Sequence, residues 1–294
     1  MNLCLRIGLL AGLAASWLLA DVSYEQTTKF TGGSLIEMTK KMASMPMIGR
    51  MGGGALKQAY EDQHFNIYLK GNKEARLGPS FSTIYDLDAG TMTSINNTKQ
   101  TYSTETFDEM RERMEEMQKR MNRGSGQGGD IDFDVKADKT GNTRTINGEE
   151  ASETVMTMTA KQAGANGQMV VKVHAWLVPL TPATQELIDF QKRLAAKFTY
   201  ALGGFSPTMG AAGGGLAAAM KELGKQDGYP VLTDMEVSGL TSGGGPMAAL
   251  GGGNSDPNAP LIQTEMQSSN FATGPVDDAK FSVPAGYKEE KRRH

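Results

Sequence analysis

Cysteine is almost missing from this sequence: Cys4 is the single one in 294 residues. A chain processed after residue 20 keeps none, so it forms no disulfide and offers no thiol as nucleophile or metal ligand. Histidine is nearly as scarce. His64, His174 and His294 include no pair three or four residues apart, and without cysteine beside them they do not furnish an ordinary zinc site. No G-x-S-x-G elbow supports a serine nucleophile, and His174 falls in an alternating strand, where it reads as structural. Carboxylates are plentiful, yet no spacing brings two of them to one cleft as a glycosidase requires. Concentrated positive charge is also lacking. The formal charge is −3, the pI is near 5.7, and the basic residues are scattered except at the terminal KRRH, which excludes an electrostatic footprint for nucleic acid. No catalytic residue and no cofactor are expected.

A long apolar run is absent too. The stretch from Ile7 to Leu19 is shorter than the roughly 20 residues needed to cross a bilayer and carries two glycines. Arg6 before it and the small Ala20 after it give the layout of a cleavable signal peptide on residues 1–20. The expectation is an exported protein, periplasmic or extracellular, beginning near Asp21 and keeping no transmembrane anchor. Cys4 precedes the run and would leave with it, so no lipid-attachment site follows. Residues 21–294 then suffice for one sizeable core.

What is present is alternation. Val22, Tyr24, Gln26, Thr28 and Phe30 share one face of a first strand, and Phe65, Ile67 and Leu69 repeat the pattern. Ser34 with Glu37 fits a capping box before Leu35, Met38, Met42 and Met45 at helical spacing. Residues 82–104 read as a three-stranded meander punctuated at Asp88-Ala89-Gly90 and Asn96-Asn97. Thr106 with Glu109 opens a second helix to about Asn122, with Phe107, Met110, Met114, Met117 and Met121 on one side. Further strands follow from Ile131, through ASETVMTMTA, and over Val170 to Val178. Thr181-Pro182 suits a helix start, and Leu187, Phe190, Leu194, Phe198 and Leu202 trace its apolar stripe. Residues 203–215 and 239–260 are glycine-rich insertions around a short Ala-rich helix and a strand from Val231 to Val237. Two last strands are expected at about 261–271 and 279–283.

Two motifs fail on context. GSGQGG places glycines at 124, 126 and 129, but a helix precedes it and a strand follows, the reverse of a phosphate-binding loop. Asp130, Asp132 and Asp134 begin like a calcium loop, yet Val135 and Gly141 stand where glycine and an acid are required, so an exposed strand face is the better reading.

Methionine is the unusual component, with 19 in the chain. On the two capped helices it recurs every three or four residues, which suits core packing. The same flexible thioethers can line an adaptable groove for an acyl chain. Met38, Met42 and Met45 also allow Cu(I) coordination by soft sulfur.

The stretch STIYDLDAGTMTSINNTKQTYSTETFDEM resembles the signature of the bacterial exported family known as domain of unknown function 4412. INGEEASETVMTMT, Trp176 in AWLVPL, the Phe190 helix, DGYPV and FSVPAGYKEE are similar to its later segments, in order, although Glu149 stands where an aromatic is usual. That family is in turn remotely similar to the periplasmic lipoprotein carrier LolA. The resemblance implies an α+β fold in which a curved, mostly antiparallel sheet, an incomplete barrel, wraps amphipathic helices. It implies no catalytic residue. The resulting expectation is a single-domain, noncatalytic binding protein carrying a lipid, acyl chain or lipoprotein in an apolar groove lined by Phe107, Met110, Met114, Met117, Met121 and Trp176. Periplasmic Cu(I) handling through Met38, Met42 and Met45, or a structural module of the envelope with a protein partner, are the alternatives.

Overall fold

The computed structural model describes residues 21–43, 61–113, 116, 131–162, 168–197, 226–239 and 259–290. The expected signal peptide, the GSGQGG segment, the Ala-rich helix and nearly all of both glycine-rich insertions lie outside the described residues. Within them one sheet dominates. Strand β1 (Val22–Gly32) is followed by β2 (Gln63–Lys70), β3 (Lys73–Leu77), β4 (Phe81–Asp86), β5 (Thr91–Asn96) and β6 (Thr101–Thr106). Then come β7 (Ile131–Ile146), β8 (Glu149–Gln162), β9 (Gln168–Val178), β10 (Tyr229–Ser238), β11 (Ile262–Thr273) and the short β12 (Lys288–Glu289). Their order across the sheet is β12-β6-β5-β4-β3-β2-β1-β11-β10-β9-β8-β7. The sheet is open, and every pair is antiparallel except β12 on β6.

The topology is two meanders joined at one seam. Strands β2 to β6 and β7 to β9 are consecutive antiparallel neighbours, and the turn expected at Asp88-Ala89-Gly90 forms between β4 and β5: Asp86 accepts from the N–H groups of Asp88 and Ala89, and Gly90 adopts φ 65°. The seam is β1 against β11, a pairing between opposite ends of the chain. Strand β3 is a finding, because KEARL carries no alternation of apolar and polar residues that marks it out.

Three helices are described. Helix α1 (Ser34–Ala43) packs on β1 and β11, α2 covers 107–113, and α3 (Pro182–Lys197) packs on β1, β10 and β11. Thr106 and Glu109 form the expected capping box: the Glu109 N–H donates to Thr106 Oγ1 at 3.1 Å and the Thr106 N–H to Glu109 Oε2 at 2.8 Å. Thr181 also caps as expected, accepting from the Thr184 N–H at 3.2 Å. The box expected at Ser34 and Glu37 is corrected. The Glu37 N–H goes to the Gly33 carbonyl, and the N–H groups of Ser34 and Leu35 reach the carbonyls of Pro260 and Leu261. Gly33, at φ 113°, lets Leu261 approach so closely that any Cβ would collide with its carbonyl. No described helix is long and apolar enough to cross a membrane, which says nothing about strands.

Two cores lie on the two faces of the β1–β6 half. On one face, Phe107 and Met110 of α2 and Ala183, Leu187 and Phe190 of α3 pack with Val22, Tyr24, Ile67 and Leu69. On the other, Phe281, Val283 and Tyr287 of the C-terminal segment cover Ala75, Ile84 and Ile95. The strand expected at 279–283 is a 3-10 turn over Asp278–Phe281, because Asp277 accepts the Ala279 N–H and winds the chain at that point.

Candidate functional site

Of the proposed groove residues, the described ones, Phe107, Met110 and Trp176, do not share one surface. Phe107 and Met110 are buried, filling the core between α2, α3 and the sheet. Trp176 stands on the opposite face of the sheet, because strand parity groups it with His174 and Lys172, away from Ala175, Val173 and Val171. There Arg144 lies 4.1 Å over its indole ring. Met114, Met117 and Met121 lie outside the described residues. Of the three alternative copper ligands, Met38 is half-buried on α1, whereas Met45 and the Met42 side chain are outside the described part.

Methionines of the sheet, not singled out by helical spacing, make a coherent patch. Pairing aligns Met156, Val173, Met235, Thr264 and Phe30 in one row across β8, β9, β10, β11 and β1. The flanking row carries Met158, Val171, Val237 and Ile262, and the other flank carries Met266 beside Thr28. All belong to the face that bears α3, because β1 alternates regularly from Val22 and Tyr24 to Phe30. Met156 and Met158 are buried, Val173, Met235 and Val237 half-buried, and Met266 is 37% exposed. Phe81, the most exposed large apolar residue among the described ones at 46%, also belongs to this face, in step with Thr83 and Tyr85 along β4.

The same face holds buried charge. Glu74 is fully buried, with Arg76 Nε donating to its Oε1 at 2.7 Å and Gln191 Nε2 of α3 to its Oε2 at 3.2 Å. A bare carboxylate there would cost several kcal/mol, so both oxygens need these partners. Two further pairs repeat the arrangement: Glu105 with Arg113 through two bonds of 2.9 and 3.0 Å, and Glu186 with Arg193 at 2.8 Å. Beside Arg76 the hydroxyls of Tyr24 and Tyr229 share a hydrogen bond, and burial raises both phenols, Tyr229 to about 12. Tyr24 stacks on Phe271 at 5.2 Å, and Phe271 meets Tyr229 edge-on. These phenols stay neutral at any physiological pH, so they act as hydrogen-bonding walls and not as bases.

On the opposite face, His174 Nδ1 lies 2.7 Å from Glu153 Oε1, and Thr140 and Asn142 donate to Glu153 Oε2 at 2.8 and 2.7 Å. The His174 bond, then those from Asn142 and Thr140, pull the Glu153 carboxyl down to about 2. The residues lock one another in place, tying the β7–β8 bulge to β9. No described serine or threonine other than Thr140 bonds this pair, and Thr140 is itself spent on Glu153. No described group of three His, Cys, Asp or Glu side chains is placed to hold a metal. Asp134 is exposed on β7 with Lys136 at 3.4 Å, in keeping with a strand face. A cavity of about 300 Å³ separates Leu77, Ser82 and Ile95 from Lys280 and Pro284 under the C-terminal segment. No protein-family model matches this sequence, and no curated protein matches it.

Proposed function

We propose that this chain is a noncatalytic exported carrier that shelters a lipid, acyl chain or lipoprotein tail on the helix-bearing face of its sheet. The reading rests on one observation: the apolar row Met156, Val173, Met235 and Phe30, flanked by the exposed Met266, lies on the side of the molecule that faces its own helices. Flexible thioethers suit chains of varied length and branching. An open, mostly antiparallel sheet with α2 and α3 packed on one face supports the reading. The contact surface is assigned to the sheet methionines, because Phe107 and Met110 are already used in packing.

Native mass spectrometry of the protein recovered from cells, followed by uptake of a fluorescent fatty acid by the stripped protein, tests this. The expected result is co-purifying apolar ligand and saturable uptake that weakens when Met235 and Met266 become Asp. Protein that is ligand-free and takes up no probe refutes carriage and leaves an envelope scaffold, for which the filled α2–α3 core already suffices. Cu(I) titration of the same sample separates the metal reading, which requires binding lost on changing Met38, Met42 and Met45 to Leu.

A further inference from the structure

A positive charge stands where a purely apolar groove has no use for one. Arg76 lies on the helix-bearing face between Ile67 of β2 and Thr83 of β4, and Ser94 and Ser103 continue that row across β5 and β6. Its side chain keeps 34% of its surface open. A guanidinium carries five N–H donors in a fixed fork. Glu74 takes the Nε edge, and no other described residue accepts from the four terminal N–H groups. The hydroxyls of Thr83 and Ser94, half-buried on the next two strands, likewise have no partner among the described residues.

The Glu74 side of this cluster is built to hold the arginine still. Glu74 is buried, with one oxygen on Arg76 and the other on Gln191, so the Nε side of the guanidinium is fixed, which leaves its terminal N–H edge in the row shared with Thr83 and Ser94. Such an edge matches two oxygens of a carboxylate or phosphate. Beyond Ile67 on the other side come the Tyr24 and Tyr229 hydroxyls and then the half-buried Phe65 and Phe30 leading toward Met266. One end of the face is cationic and hydroxylated, and the other is apolar.

We propose that Arg76, with the Thr83 and Ser94 hydroxyls, binds the anionic head of a single-chain amphiphile whose tail lies on the methionine face. This inference rests on the carrier reading and names its ligand class. A neutral amphiphile of equal length leaves the guanidinium edge unpaired and loses the charge-assisted bonds.

Displacement of a fluorescent fatty acid from the stripped, full-length protein by decanoate, decyl phosphate and decanol tests it. The wild type is expected to prefer either anion over the alcohol by about tenfold or more, the effect of one charged hydrogen-bonded contact. The double variant Glu74→Gln/Arg76→Gln removes both charges together, and is expected to bind decanol as before with the anion preference gone. The single variant Thr83→Val, which leaves the ion pair intact, is expected to reduce the preference in part. A preference for decanoate alone marks a carboxylate ligand, and a preference for decyl phosphate alone a phosphate one; each supports the assignment. Equal binding of acid and alcohol by the wild type overturns the Arg76 assignment and leaves the carrier standing. An anion preference undiminished in a folded double variant also overturns it. Displacement by none of the three overturns the carrier reading and the assignment with it.

Discussion

The two halves of the sheet, separated at the β1–β11 seam, are built alike and packed differently. In β1–β6 each face carries a core, under α2 and α3 on one side and under Phe281, Val283 and Tyr287 on the other. The side chains with most to gain from burial, Phe190, Leu187 and Ile67, are already inside. In β8–β11 the corresponding row of the helix-bearing face offers Met235, Val173 and Val237 half-buried and Met266 exposed. The second half has a core of its own, in which Ile146, Ala151, Val178, Val231 and Leu232 pack with Trp176, but on the helix-bearing face it leaves Met235 and Met266 partly open. A protein cannot spend the same apolar area on both its own core and a ligand, which makes the buried Phe107, Met110, Met156 and Met158 poor contact residues and the partly open Met235 and Met266 better ones.

The contrast breaks most visibly if the first half is opened. Phe190→Ala removes a fully buried ring, and equilibrium unfolding in urea is expected to show a loss of about 4 kcal/mol. Arg76→Met strands the buried Glu74 and is expected to cost about 3 kcal/mol, the low end for a broken buried pair because Arg76 is partly wet. Changing both Glu74 and Arg76 to Met should restore most of that loss, and a double variant as unstable as the single one would refute the pairing. In the second half, Glu153 titrates at about 2 when folded against 4.5 as a free side chain, held down first by His174. Because its pKa is depressed, its contribution is whole above pH 4.5 and fades as pH falls toward 2. Glu153→Gln should flatten stability across that window, and an unchanged slope would show the His174 contact to be idle. Thr106→Ala deletes the cap of α2 and is expected to cost about 1 kcal/mol by thermal melting. Met266→Ser should change stability by no more than about 0.5 kcal/mol while lowering probe uptake.

Much of the fold was legible because its signals are local. The Thr106–Glu109 box, the Thr181-Pro182 start and the turns of β4–β6 each place donor and acceptor within three or four residues. The start of α1 was not, since its N–H groups depend on carbonyls 226 residues away, at Pro260 and Leu261. Glu74 and Arg76 in KEARL look like an ordinary wet strand; only the arrival of Gln191 from α3 makes them interior. Trp176 could have been placed by parity, because Val171, Val173 and Ala175 alternate against Lys172 and His174. The methionines at 156 and 158 showed the same alternation, but they become a patch only when β10 and β11 bring Met235 and Met266 alongside.

The most direct measurement is photolabelling of the intact protein with a fatty acid carrying a diazirine in its tail, followed by peptide mapping. Labels concentrated on Phe30, Met235, Met266 and their neighbours are the expected outcome. Labels on Trp176, His174 or the C-terminal segment, or no saturable labelling at all, would contradict the assignment of the helix-bearing sheet face as the ligand surface.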